Sequence, residues 1–120
     1  MTTLTELVEA VRDMADQHEE YIRWADAWLA DSTTAGPPPH FAAFWAAESR
    51  SGLSAQGAAN DVGLAVVTAA AADAAVEAAK RCEAAGNMPL ASGMRKKANE
   101  HAATRDACVA AAQKTLAVCA

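Results

Sequence analysis

At 120 residues and 12.4 kDa the chain is long enough for one domain with one core and too short for two ordinary ones. A composition of 52% apolar and 21% charged residues excludes a disordered or collagenous chain, and a formal charge of −5 argues against non-specific binding to nucleic acid or an anionic membrane. Ala, the best helix former and one depleted from strands, supplies 34 residues, so the expected fold is an all-α antiparallel four-helix bundle.

The first helix is expected over residues 4–30. Thr3 and Glu6 have capping-box spacing. Apolar residues then recur at Leu4, Leu7, Val8, Val11, Met14, Tyr21, Ile22, Ala25, Trp28 and Leu29, on one helical stripe. The segment DSTTAGPPP from Asp31 cannot continue a helix. A short second helix over 39–51 opens on Pro39 and carries Phe41, Phe44 and Trp45.

Ser54 is the expected N-cap of a long third helix over 55–85, with Gly86 as its left-handed cap. It is apolar on most sides and should lie centrally, with Gly57 and Gly63 allowing close approach by a neighbour. The fourth helix, 89–118, carries Met94, Ala98, Ala102, Val109, Ala112 and Leu116 on its stripe. Residues 1–31 carry a net charge of −6 and residues 87–120 a net of +3, which favours the first and last helices as neighbours.

All six aromatic residues fall between Tyr21 and Trp45. Tyr21, Trp24, Phe41, Phe44 and Trp45 are therefore the candidate partner or ligand surface, set against the plainer reading of a local aromatic core. Trp24 sits off the Leu4–Trp28 stripe and is expected nearer the surface, with Trp28 in the core. Asp73 and His101 lie equally far from Asn87 and form a candidate polar pair, with His18 at a similar level. The plainer reading is a satisfied contact or two solvated side chains.

No CxxC, HxxxH or ExxH spacing occurs around the candidate ligands His18, His40, His101, Cys82, Cys108 and Cys119, so neither metal nor cofactor is expected. In an antiparallel hairpin Cys82 and Cys108 lie about 24 Å apart along the axis, too far for a disulfide. Arg95–Lys96–Lys97 is the one basic cluster, read as a solvated face. His101 lacks the setting of a phosphotransfer histidine, and no WxG occurs, so no family is assigned.

There is no signal or transit pattern, and the most apolar window, Val62 to Ala72, is 11 residues, short of the ~20 that span a bilayer. A cytoplasmic location follows as an expectation. Gly, Ala, Arg and Pro total 50 residues against 15 for Phe, Tyr, Met, Ile, Asn and Lys, as in a high-GC bacterium or its phage. The expected function is a small non-enzymatic interaction or regulatory module that binds a protein partner, with a homodimer as one arrangement and no nucleic acid or membrane involved. The alternative is a small-molecule-binding or catalytic bundle whose pocket is lined by aromatics and His18, Asp73 and His101.

Overall fold

A computed structural model describes residues 3–14, 19–36, 38 and 52–119. The fold is an all-α helical bundle. Its described helices are α1 (Leu4–Met14), α2 (Glu19–Ala30), α3 (Gly52–Ala84) and α4 (Met88–Cys119). The expected short helix over 39–51 lies outside the described residues.

α1 opens as its sequence dictates. The Thr3 hydroxyl accepts the Glu6 backbone N–H at 3.2 Å and donates to the Glu6 carboxylate at 3.3 Å. Leu7, Val8 and Val11 are buried along one face. The stripe does not continue as one helix to residue 30, however. Arg12 donates from Nε to Asp26 Oδ1 at 2.5 Å and from its second nitrogen to Oδ2 at 3.3 Å. In one continuous helix those residues would stand about 21 Å apart along the axis. The expected first long helix is therefore two short helices, with α2 folded back on α1. Folding back brings Tyr21, Trp24 and Ala25 into one core with Leu7, Val8 and Val11, a burial that a straight helix would forfeit.

α3 begins at Gly52, two residues before Ser54, so Ser54 is inside the helix rather than its N-cap. It ends as expected. Gly86 has φ +79°, Asn87 N–H reaches Cys82 O at 2.8 Å, and Gly86 N–H reaches Glu83 O at 3.0 Å. These bonds form a Schellman cap, which needs a residue without a Cβ at the left-handed position. Asn87 then starts α4, its Oδ1 accepting the Leu90 N–H at 3.3 Å. The turn is thus a stop and a start signal in adjacent residues.

Packing along this hairpin follows a seven-residue period. Ala58, Ala65, Ala72 and Ala79 are buried on α3, and Ala91, Ala98 and Ala112 on α4, with half-buried Arg105 at the remaining register position. A heptad spacing keeps one seam facing the partner helix, and methyl side chains let the backbones approach closely. The hairpin accounts for the long axis of the molecule, which measures 55 × 26 × 25 Å.

Two regions result. In the head, α1 and α2 cover the start of α3 and the end of α4, and the core joins Leu7, Val11, Tyr21, Trp24, Val62, Val66 and Ala112. In the stalk, α3 beyond Ala72 and the first half of α4 pack on each other through the alanine seam. Glu83 and Arg95 bridge the stalk near its tip. α1 does touch α4, as the opposed charges led one to expect, but among the described residues no ion pair joins them.

Gly63 meets the expectation of close approach: a Cβ there would come within 3.2 Å of Pro38 Cγ. Gly57 does not, having nothing within 4 Å. One further difference concerns hydropathy. Within Gly57–Ala84, 28 residues of α3, an 18-residue window reaches a mean hydropathy of 1.6, so this helix is long and apolar enough by length and composition to cross a membrane. The 11-residue window considered from the sequence was too strict, because a helix of mostly Ala tolerates an isolated Asp without losing its average. Core helices of soluble proteins meet the same criterion.

Candidate functional site

The aromatic residues of α2 divide by burial, in the opposite sense to the expectation. Tyr21 is 1% exposed and Trp24 7%, while Trp28 is half-buried. Tyr21 and Trp24 are thus core rather than free surface, and burial pushes the Tyr21 phenol up from its ordinary value. The reason lies in the helix break. A stripe drawn straight through residues 4–30 places Trp24 at its edge, whereas α2 packs as a separate helix with its own inward face.

Trp24 is fixed by its polar end. Its indole N–H donates to Gly36 O at 3.0 Å, tying the turn after α2 back onto the helix. That turn is built on Asp31, whose Oδ1 accepts the Thr33 N–H at 3.0 Å and the Thr33 hydroxyl at 2.6 Å. The same two bonds hold the Asp31 carboxyl below the ordinary carboxylate range. Such an aspartate-anchored turn is what Asp followed by Ser/Thr favours.

Beyond Trp24 a groove opens. The α2 and α3 backbones stay more than 8 Å apart at every Cα pair, spaced by the large side chains between them. Where α2 ends, nothing of comparable size among the described residues fills that space. The result is a groove of about 510 Å³ whose floor is Val66, Val67, Ala69 and Ala70 of α3. Trp28 forms one wall, Ser32, Thr33 and Gly36 the rim, and Asp73 the end nearer the stalk. The Trp28 ring is backed by Trp24, with centroids 6.3 Å apart and planes at 31°. Leu64 and Val67 on the outer face of α3 are 48% and 44% exposed, so apolar surface continues past the groove.

The expected Asp73–His101 pair is not brought together as a contact. Asp73 is exposed in the groove, His101 is half-buried on α4 and absent from the lining, and no hydrogen bond or ion pair joins them. His18, Phe41, Phe44 and Trp45 lie outside the described residues. Among the described residues no group of three His, Cys, Asp or Glu side chains is placed to hold a metal ion.

Cys82 and Cys108 are free thiols well separated along the hairpin. Cys82 is in the last turn before Gly86, whereas Cys108 is buried in the head beside Asp61. Burial raises its thiol above the ordinary range, and the Asp61 carboxylate adds to the shift. Asp61 itself is raised by burial. Of the basic cluster, Arg95 is engaged with Glu83 at 3.0 Å through Nε, while Lys96 and Lys97 are exposed.

Two features were missed in the sequence. The alanine heptad is present there, but when 34 residues are Ala the seam alanines cannot be told from the others. The Trp28–Asp73 groove joins residues 45 positions apart and has no local signal. Comparison with protein-family models, with curated proteins and with solved structures gives no match. Geometry alone therefore carries the functional reading.

Proposed function

We propose that this protein is a small non-enzymatic interaction module that binds a protein partner through the groove beside Trp28 and the exposed face of α3. The observation that carries the reading is an uncovered apolar surface, Leu64, Val67 and the groove floor, continuous with a half-buried tryptophan. Contiguous exposed apolar surface around an aromatic anchor is what interfaces use. Nucleic acid and membrane are not the proposed partners: the first 31 residues are strongly acidic, and α1 and α2 carry that charge on the head. The proposed setting is cytoplasmic.

The test compares captures from a bacterial lysate with the full chain and with Val67→Arg as baits. Val67 is exposed, so the change fills the groove without entering the core. A protein retained by the unaltered chain and lost with Val67→Arg supports the reading. Retention that is indifferent to this change, with circular dichroism unaltered, overturns it. Light scattering of the purified chain shows whether a second copy is the partner.

A further inference from the structure

We propose that the groove takes a cationic side chain, an arginine or lysine carried on an apolar segment of the partner, with Asp73 as counter-charge and Trp28 as the aromatic wall. The inference rests on the reading of the protein as an interaction module and specifies what the partner presents.

Three observations converge. First, the polar groups of the lining are of one kind. Ser32, Thr33 and Asp73 offer hydroxyls and a carboxylate, and among the described residues no basic side chain lines the groove. A site of that make-up repels an anion and leaves a neutral apolar occupant with a carboxylate to desolvate. Second, Asp73 is uncommitted where neighbouring acids are not. Asp26 is held by Arg12 and Asp31 by Thr33, whereas Asp73 is exposed and, among the described residues, makes no ion pair or hydrogen bond. Third, the wall is aromatic and held in place. Trp28 stacks obliquely on Trp24, and Trp24 is anchored through Gly36 O. An indole surface beside an unpaired carboxylate, above an apolar floor, suits a cation on an aliphatic stem: the stem lies along Val66, Val67 and Ala70 while the head meets Asp73. A volume of about 510 Å³ accommodates one or two side chains, not a helix. The acidic head adds a long-range field of the right sign.

The experiment uses the full chain and two probes of matched shape, 4-phenylbutylamine and the neutral 4-phenylbutanol, read by tryptophan fluorescence. The amine is expected to bind about tenfold more tightly than the alcohol, as one charge-assisted contact gives. Asp73→Asn should abolish that preference without moving the thermal midpoint, since Asp73 is exposed. Added salt should weaken the amine and leave the alcohol unchanged. Trp28→Leu should remove the fluorescence response and weaken the amine by about threefold.

Equal binding of the two probes, or an amine preference that survives Asp73→Asn, overturns the proposal. So does a groove already closed by the protein's own residues 39–51, seen as failure of acrylamide to quench Trp28 by difference against Trp28→Leu. The two readings fail separately. A partner lost with Val67→Arg but retained by Asp73→Asn leaves the interaction module standing and removes the cation. Asp73-dependent amine binding with no partner sensitive to Val67→Arg removes the interaction module, and with it the assignment of the cation to a protein.

Discussion

Along the α3–α4 hairpin the seam of the head and the seam of the stalk use the same residue at the same spacing. Ala58 and Ala65 lie in the head, Ala72 at its boundary and Ala79 in the stalk, and all four are buried. What differs is what else is buried. The head adds Leu7, Val8, Val11, Tyr21, Trp24, Val62 and Val66, each contributing roughly 1.5–3 kcal/mol of apolar burial if aliphatic and more if aromatic. In the stalk the fully buried residues are alanines, with Val76 and Met94 only half-buried, so its order depends more on helix propensity and on attachment to the head. One seam can therefore run through regions of unequal stability, and the surface that projects from the less stable one need not be set by a large core.

The most severe test of this contrast is a charge in the head. Val66→Asp should unfold the domain, because a carboxylate without a partner replaces a core side chain that is 6% exposed. Loss of the helical circular dichroism signal at 25 °C checks it. Trp24→Ala should cost about 3–5 kcal/mol in denaturant titration, as truncation of a buried aromatic does, and Trp28→Ala distinctly less, since its ring is only half-buried. Equal losses would mean that the groove is part of the core.

A stalk substitution should act locally. Ala79→Leu overpacks the seam and should cost about 1–3 kcal/mol. By hydrogen exchange, the accelerated amides should lie in residues 72–100, with those around Val62 unaffected. If the head is loosened equally, the molecule is one cooperative unit and the division into head and stalk fails.

Surface charges should matter least. Lys97→Ala should change stability by less than about 0.5 kcal/mol, because Lys97 is exposed, and thermal denaturation measures it. The pH dependence of the head has a definite sign. The Arg12 guanidinium holds the Asp26 carboxyl below its ordinary 3.8, so the ion pair contributes above pH 3.8 and is lost as pH falls through the depressed folded value. Asp26→Asn should flatten the thermal midpoint below about pH 4 by a small amount, the pair lying at the surface. A steeper acid transition in the variant would contradict the assignment.

Much of this protein is set by local chemistry. The Thr3–Glu6 cap, the Gly86–Asn87 stop and start, the turn built on Asp31 and the all-α fold each follow from residues a few positions apart, where capping and propensity act. The same holds for the separation of Cys82 from Cys108, which needs only the hairpin and the helical rise. Tertiary packing decided the rest. The stripe from Leu4 to Leu29 is as compatible with one helix as with two, and no Gly or Pro stands between Met14 and Glu19. α2 folds back on α1 because Tyr21 and Trp24 are then buried in one core with Val11 and Val62, a gain that no local term represents. That one event exchanged the roles of Trp24 and Trp28, left large side chains between α2 and α3, and placed Trp28 and Asp73 in one groove. A groove between elements is a property of how they pack, and only the tertiary structure could put it there.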